Sequence, residues 1–393
     1  MKAAQIKETL KKNTMLLALV VVALLFQILI TANDKGSLFN PMNISNIISQ
    51  NSYVLVLATG MLLCILTGGN IDLSIGSVVA LVGAVAGIMI VDHHMNIYLT
   101  IIVCILLGTA IGAWQAFWIA YVRIPPFIVT LAGMLLWRGI AQVVLNGLTI
   151  SPFPKEYTKI FTSFIPGNAD KATVFAVTTI IAAVICAVFI VISVLGRIKK
   201  TKKGYSVESL GMFIARLVLI TLAVMWIATR LGQHKGIPTV LIIVAIIVLV
   251  YSYFTSNTVP GRYFYAMGGN EKAAKLSGIN TNNVLFTAYT NMGFLSAVAA
   301  LICCARFNSS FPSMGTSYEM DAIGSCFIGG ASAYGGTGTV GGAVIGAIFM
   351  GILNNGMSIL GIDANWQKAV KGIVLLAAVI FDVVSKKRGK SAN

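Results

Sequence analysis

Long apolar segments recur along this chain, and this pattern constrains its fold more than any other feature. A helix that rises about 1.5 Å per residue needs about 20 apolar residues to cross about 30 Å of hydrocarbon. Of the 393 residues, 57% are hydrophobic and 10% are charged, whereas soluble domains carry about 25% charged residues. The sequence therefore predicts an all-α polytopic membrane protein with one transmembrane domain over 1–393.

Twelve apolar segments are predicted to be membrane helices. They are 14–32, 52–67, 73–91, 97–121, 126–145, 172–195, 207–229, 237–254, 284–303, 319–334, 339–361 and 366–384. The segments 52–67 and 319–334 are short and contain glycine, so we expect broken or re-entrant helices there. The prediction is accordingly 10 to 12 transmembrane helices, some of them short or broken and rich in glycine.

The basic residues lie in clusters between the apolar segments and give the chain its orientation. Such clusters mark cytoplasmic loops, and after counting crossings all of them fall on one side, which predicts that both termini are cytoplasmic. The net charge of +16 thus reports orientation. It does not indicate a nucleic-acid surface, because the basic residues are not interleaved with aromatic ones. The clusters are Lys2, Lys7, Lys11 and Lys12; Arg197, Lys199, Lys200, Lys202 and Lys203; Arg262, Lys272 and Lys275; and Lys386, Lys387, Arg388 and Lys390.

Motifs for enzymatic chemistry are missing from the sequence. There is no H-E-x-x-H or G-x-S-x-G sequence, and the six cysteines show no C-x-x-C spacing. We therefore predict no enzyme activity, no metal and no cofactor, and we interpret the cysteines as packing residues. No carboxylate lies at the centre of a predicted span, which argues against ion coupling; an ion-coupled secondary transporter or channel stays the alternative.

The segment GGNIDLSIG at 68–76 places a carboxylate, Asp72, between two apolar segments. We expect Asp72 to cap the helix that follows, where free N–H groups and the helix dipole favour a negative charge. A gate or pathway role is the alternative if the turn lies deeper in the membrane. Small ligands with many hydroxyl groups need amide and hydroxyl partners in a cavity. The pathway or gate candidates are Asn70, Asp72, Ser74, Ser77, Asn354 and Asn355.

A short capped helix is predicted in the cytoplasmic segment GRYFYAMGGNEKAAKLSGIN at 261–280. Asn270 can cap it, Glu271 and Lys275 suit its two ends, and Gly278 can terminate it. Ala273, Ala274 and Leu276 would then form an apolar face without a partner of its own. This face can dock in the groove of a partner protein or lie on lipid headgroups, and the residues alone leave both alternatives open.

Three stretches together resemble the permease subunits of ATP-binding-cassette importers for monosaccharides such as ribose, galactose and xylose. They are GGNIDLSIGSVVAL, FYAMGGNEKAAKLSGIN and YEMDAIGSCFIGGASAYGGTGTVGGAVIGAIFMGILNNGMSILGI, in the order of the family. The resemblance implies a multi-pass protein of the bacterial cytoplasmic (inner) membrane with no ATPase and no cofactor of its own. It also implies three partners besides lipid: a second permease copy, ATP-hydrolysing subunits that use the ATP, and an extracytoplasmic sugar-binding protein.

By resemblance, the segment 256–282 is the cytoplasmic coupling loop that meets the ATPase. The matching residues are Asn270, Glu271, Ala273, Ala274, Lys275 and Gly278. Residues 196–236, with an extra hydrophobic helix, look inserted relative to shorter members, so the longer xylose and multiple-sugar permeases are the nearer relatives. The resemblance does not specify which sugar is carried.

Overall fold

The computed structural model describes residues 14–205 and 207–390, which fold almost entirely into helices. The helices are α1 Thr14–Ala32, α2 Pro41–Leu66, α3 Ile75–Gly87, α4 Ile97–Ala120, α5 Pro126–Val144, α6 Lys155–Thr162, α7 Lys171–Lys202, α8 Leu210–Gly232, α9 Thr239–Asn257, α10 Val259–Gly269, α11 Glu271–Leu276, α12 Thr281–Phe307, α13 Tyr318–Ile328, α14 Val340–Ile359 and α15 Ala364–Lys390. A π-helical turn, Ile88–Asp92, extends α3, and two short strands, β1 Phe164–Ile165 and β2 Ile237–Pro238, pair antiparallel.

Ten helices in the described ranges are long and apolar enough to cross a membrane: α1 to α5, α7 to α9, α12 and α14, with α3 counted through its π-helical turn. This confirms the predicted all-α polytopic fold. The predicted segment 319–334 becomes α13, whose 11 residues span only about 16 Å. The predicted segment 366–384 forms α15, which is not among the ten.

The helix α2 corrects the prediction of a short or broken segment at 52–67. It is a continuous helix of 26 residues that begins at Pro41, next to the capping side chain of Asn40, which accepts a hydrogen bond from the backbone N–H of Met42 at 3.1 Å. Its first half carries several polar residues, which hid it from a search for apolar segments. They face other helices rather than lipid: Asn51 and Ser52 are buried.

Glycine lets the central helices α2, α3, α4, α12 and α14 pack closely. On the facing surfaces of α4 and α12, a Cβ at Gly108 or Gly112 would overlap backbone carbonyls of α12. Gly342 and Gly346 of α14 similarly face backbone atoms of Gly329 and Ser325. In each of these two pairs the glycines are four residues apart, so both lie on one helix face and allow close helix packing. All six cysteines are buried and free, as expected for packing residues.

Two non-helical segments enter the bundle from opposite sides. By the count of crossings, segment 67–74 leads from the cytoplasmic end of α2 to the start of α3, and segment 308–317 leads inwards from the outer end of α12. The second segment runs along α3: Ser310 lies at Gly87, Met314 at Gly83 and Gly315 at Gly76. Since Gly76 and Gly87 are about 16 Å apart along the helix, α3 and α13 both begin deep within the bundle.

The helices α7 and α8 form a hairpin at the edge of the bundle. The proposed insertion, 196–236, contains the end of α7 and all of α8. The hairpin contacts the rest through α2 and the edge contact of Phe39 with Trp226, whose ring centroids are 5.6 Å apart. Most of its apolar side chains are exposed, which suits a surface that faces lipid. Three lysines lie in the last turn of α7, as a cytoplasmic end requires.

Candidate functional site

A polar cavity of about 230 Å³ lies between the outer halves of α2 and α14 and the start of α15. It would hold roughly eight water molecules at about 30 Å³ each. By the count of crossings it opens on the outer side of the membrane, because α2 and α15 begin there and α14 ends there. Its lining residues are Ile47, Gln50, Asn51, Tyr53, Arg306, Phe307, Tyr318, Gly351, Asn354, Asn355, Ser358, Gln367 and Lys371.

Two stacked tyrosines and an ion pair form one wall of this cavity. The rings of Tyr53 and Tyr318 lie 3.8 Å apart between centroids. The Tyr53 hydroxyl donates to Oδ2 of Asp321 at 2.7 Å, and Lys371 Nζ lies 2.8 Å from Oδ1 of the same carboxylate. The carboxylate is thus paired and hydrogen-bonded, which is what a buried charge requires. Tyr318 and Asp321 are held here because α13 begins deep in the bundle.

The amides of α14 supply unoccupied acceptors. Among the described residues, Asn354 Oδ1 and Asn355 Oδ1 are buried and have no hydrogen-bond partner, whereas Asn51 already donates to the carbonyl of Ala347. A buried acceptor without a partner is costly, so a ligand that donates hydroxyl groups would be favoured beside these two side chains. The predicted pathway residues Asn354 and Asn355 therefore line a cavity that suits a small polar ligand.

The other four predicted pathway residues lie in a different place and do not line this cavity. Ser74 and Gln115 are hydrogen-bonded, with Gln115 Nε2 donating to Ser74 Oγ at 2.9 Å. Ser74 Oγ also lies 2.6 Å from Asp72 Oδ1, and Asn70 Nδ2 donates to Thr67 Oγ1 at 3.1 Å. Ser77 Oγ is buried and has no partner within the described chain.

Asp72 does not cap α3 as the sequence predicted. Its Oδ1 accepts the backbone N–H of Ser74 at 2.8 Å, one residue before the helix begins, and the N-terminal position itself belongs to Ser74, which makes no side-chain cap. The carboxylate is only 4% exposed. It fixes the turn that leads into α3 instead of binding the free N–H groups of the first helical turn. Its part in a gate or pathway stays a prediction.

Segments 67–74 and 308–317 meet where α3 begins. A Cβ on Gly76 would overlap the carbonyl of Gly315 and lie 2.8 Å from Oε2 of Glu319. Arg138, alone in the apolar helix α5, donates to the carbonyls of Pro312 and Met314 at 2.9 and 2.6 Å. This guanidinium therefore holds the segment 308–317 in the bundle.

The short helix predicted in the segment 261–280 is present as α11. Asn270 caps it by accepting the N–H of Ala273 at 3.0 Å, and Gly278 follows with a φ of +84°. Glu271 pairs with Arg123 at 2.6 Å, and both side chains are about two-fifths exposed. The guanidinium also donates to Thr281 Oγ1 at 3.1 Å and to Asn282. Arg123 thereby ties α11 to α12 and to the loop after α4.

The outer face of α11 differs from the expected one. Ala274 is 5% exposed and packs against the protein, so the expectation that it faces outwards is wrong. Leu276 is 90% exposed, and Ala273 and Lys275 are exposed beside it. The apolar surface available to a partner is therefore centred on Leu276.

The helix α10, which the sequence did not predict, connects α11 to the bundle. Gly268 lies so close to the backbone of Leu66 and Gly336 that a Cβ would overlap both. Gly336 N–H donates to Leu66 O at 3.1 Å, and the Tyr265 hydroxyl donates to Gly338 O at 3.0 Å. The helix α10 thus contacts the last residue of α2, just before the glycine turn 67–70, and the glycine turn 329–339 directly.

Several residues of these sites were not predicted: Tyr53, Asp321 and Lys371 in the cavity, and Arg123 beside α11. Arg123 follows an apolar segment and has a φ of +65°. Nothing in the residue type or its neighbours predicts this left-handed conformation. Lys371 offered one signal, because it falls inside a predicted span and a charge there requires a partner. Its partner lies 50 residues earlier, and only packing brings the two together.

Comparisons with known proteins identify transport permeases as relatives of this chain. Residues 43–213 and 212–379 match the family described as the permease component of branched-chain amino acid transport systems. The xylose transport system permease protein XylH of Escherichia coli is 36% identical over 95% of this chain and 92% of its own length. XylH of Haemophilus influenzae is 37% identical, over 95% and 96%. The ribose import permease protein RbsC of Escherichia coli is 35% identical over 92% of each chain. No solved structure matches significantly.

Proposed function

Because this chain belongs to that family of transport-system permeases, we propose that it forms the membrane pathway for a monosaccharide such as xylose, ribose or galactose. The chain is a multi-pass membrane protein, and its relatives of more than 90% coverage are named for xylose and ribose. An extracytoplasmic binding protein would deliver the sugar, and a separate ATPase would drive its passage. The family description names branched-chain amino acids instead, so the substrate class must be tested.

The cavity that opens on the outer side is the observation that supports a sugar as the substrate. A monosaccharide presents hydroxyl groups at its rim and an apolar ring face. The unpartnered amide oxygens of Asn354 and Asn355 can accept hydroxyl donors, and the tyrosine pair can pack against the ring face. The only charged groups among the lining residues are cationic, Arg306 and Lys371, and Lys371 is already paired with Asp321. The cavity therefore lacks a carboxylate of its own lining that could bind the ammonium group of an amino acid.

Energy would enter at the coupling loop. We assign the ATPase contact to the exposed face of α11 around Leu276, while Asn270, Glu271 and Gly278 fix the shape and position of that helix. Ala274 would act from inside, by seating α11 on the bundle. A second copy of the chain is expected to complete the pathway, as the resemblance implies.

An ion-coupled transporter is the second candidate, and the buried pair of Asp321 and Lys371 favours it. Ionisable groups within a membrane bundle often mark proton or ion paths. In this chain the carboxylate is already bonded by Tyr53 and Lys371, which would have to separate before an ion could bind. The ATP-driven proposal needs no such step.

Deletion of this chain from its own organism tests the proposal with all native partners present. Uptake of labelled xylose, ribose, galactose and leucine would be measured before and after deletion. We expect the loss of high-affinity uptake of one sugar, restored by the wild-type chain, and unchanged leucine uptake. Loss of leucine uptake alone, or of none of the four, would contradict the sugar assignment.

Two further measurements separate mechanism from substrate. Uptake should persist when protonophore and sodium ionophore collapse the ion gradients while cellular ATP is maintained; its collapse under these conditions would support ion coupling. Asn355→Ala should raise the KM for the sugar about tenfold, since a lost hydrogen bond costs about 1–1.5 kcal/mol. Asn365→Ala is the matched control, because Asn365 is exposed at the start of α15 and does not line the cavity. This variant should leave the KM unchanged.

A further inference from the structure

A second cavity, of about 400 Å³, lies between the cytoplasmic ends of α7 and α8, far from the proposed sugar pathway in the fold. It is lined by Ser193, Gly196, Arg197, Lys200, Val207, Glu208, Phe213 and Arg216. Three of these side chains are cations and one is a carboxylate. Nothing in the proposed transport function uses this cavity.

The two arginines of the cavity are held in place by one aromatic ring. Phe213 is buried, and the guanidinium carbons of Arg197 and Arg216 lie 4.8 and 5.6 Å from its ring centroid. Such cation–π contacts orient a guanidinium without using its N–H donors. Arg197 donates one hydrogen bond to the backbone carbonyl of Glu208 at 2.9 Å, and Arg216 pairs with the Glu208 carboxylate at 2.7 Å. Within the part of the chain that the structure describes, the remaining donors of both guanidinium groups have no protein acceptor.

The surroundings of the cavity indicate the kind of anion. Both helices expose apolar side chains directly beyond the cavity: on α7, Val188, Ile192 and Leu195 are each at least half exposed, and on α8, Ile214 and Leu222 are as well. Such surfaces lie in hydrocarbon, so the cationic cavity sits at the level where lipid headgroups meet the cytoplasm. Anionic lipids concentrate in the cytoplasmic leaflet, and basic pockets between membrane helices on this side suit their headgroups.

We propose that this cavity binds the phosphate of an anionic phospholipid, with Arg197 and Arg216 as a forked clamp, Lys200 as an additional charge, and the acyl chains on the exposed faces of α7 and α8. Guanidinium forks match phosphate oxygens in a bidentate geometry. Glu208 orients Arg216 and at the same time limits the affinity by its negative charge.

Native mass spectrometry of the full chain, purified in detergent, tests this assignment. Phosphatidylglycerol, cardiolipin and phosphatidylcholine would be titrated separately. We expect retained adducts of the two anionic lipids, and binding at least about tenfold weaker for phosphatidylcholine. The double variant R197Q/R216Q should weaken anionic-lipid binding at least about tenfold, whereas K199Q/K202Q, which removes the same charge from the same end of α7 outside the cavity, should bind as the wild type does.

Two arms keep the test decisive. Glu208→Gln removes the only carboxylate of the lining and should tighten anionic-lipid binding, a gain that misfolding cannot produce. Inorganic phosphate at millimolar concentration should not displace the lipid, because the acyl chains contribute to binding. Equal losses in R197Q/R216Q and K199Q/K202Q, weaker binding by E208Q, or full displacement by phosphate would each overturn the proposal.

Discussion

The ion pair of Asp321 and Lys371 is the most buried one among the described residues. Its side chains are 1% and 15% exposed, whereas the other ion pairs in the described chain are far more accessible. A buried pair gains little over an apolar one, because removing its charges from water is costly, but loss of one partner leaves an uncompensated charge. The energetic consequence of a substitution here depends on whether both charges are removed.

Lys371→Met should lower the free energy of unfolding by about 3–5 kcal/mol, because it strands the Asp321 carboxylate. The double variant D321N/K371M should regain most of this loss, since a neutral amide oxygen can still accept the Tyr53 hydroxyl. Denaturant unfolding in detergent measures both. Lys368→Met, on an exposed position one turn earlier, is the control; equal effects of K368M and K371M would contradict the role of the pair.

Residue types alone predicted part of the candidate site. Asn354 and Asn355 were predicted as amide partners for a ligand with many hydroxyl groups, and they do line a cavity. Asp321 was not predicted, because its burial depends on α13 beginning deep in the bundle. Asp72 was given the wrong hydrogen-bond partners, because the turn it fixes has no signature that distinguishes it from a helix cap.

At the scale of elements, the meeting of segments 67–74 and 308–317 is the most constrained point of the fold. Gly76 and Gly315 face each other with no room for a side chain on either. The first turns of α3 and α13 lie nearby, so their positive dipole ends converge on one region of the bundle. Irregular backbone at this depth is stable only because helices on all sides cover it.

Gly76→Ala should destabilise the protein by roughly 1–3 kcal/mol, since overpacking must shift the backbone of Gly315. A drop in melting temperature in detergent is the readout. Gly139→Ala in α5 is the matched control, because no atom lies within 4 Å of its added Cβ and alanine favours helix by about 1 kcal/mol. We expect G139A to be neutral or stabilising; a harmless G76A would show that this contact can relax.

On the proposed function, Leu276→Glu should abolish co-purification of an ATPase subunit and ATP-dependent uptake, because it places a charge at the centre of the exposed face of α11. The melting temperature should hardly change, as the side chain is 90% exposed. Tyr205→Glu, an exposed cytoplasmic aromatic residue outside the coupling loop, should leave both activities intact. Normal ATPase binding by L276E would show that the ATPase contacts a different surface.

Signals at helix ends predicted short elements better than apolar segments predicted long ones. Asn270, Glu271 and Gly278 gave α11 its bounds within a residue, since caps act locally. The first half of α2 and the whole of α10 were missed because both are partly polar and are stabilised by contacts with distant helices. Membrane helices that face only protein lose the apolar signal on which their detection depends.

For the whole molecule, the basic clusters describe one consistent orientation when α13 and α15 are counted as crossings beside the ten candidate spans. The described lysines at the end of α7 and in the coupling loop fall on the cytoplasmic side, while the first cluster, Lys2 to Lys12, lies outside the described residues. The short helix α6 belongs to the outer surface, where Tyr157 anchors it by donating to Leu301 O at 2.7 Å. The α7–α8 hairpin adds two crossings and so preserves the orientation of everything after it.

Cysteine labelling tests this orientation. In intact cells a membrane-impermeant maleimide should label Asn168→Cys and not Lys203→Cys, and K203C should react only after permeabilisation. The native cysteines are buried, so the wild-type chain is the unlabelled control. Labelling of K203C in intact cells would require an odd number of crossings before α8.

The contact of Gly268 with Leu66 and Gly336 bears on how force would travel through the molecule. Movement of α11 would reach the end of α2 and the glycine turn 329–339 through the backbone of α10, with no intervening side chain whose rotamer could yield. Direct contact between backbones is stiff, so a small displacement of α10 would shift the end of α2 and the turn 329–339 by a similar distance. Any residue larger than glycine at position 268 would force these three backbone segments apart and so break this close contact.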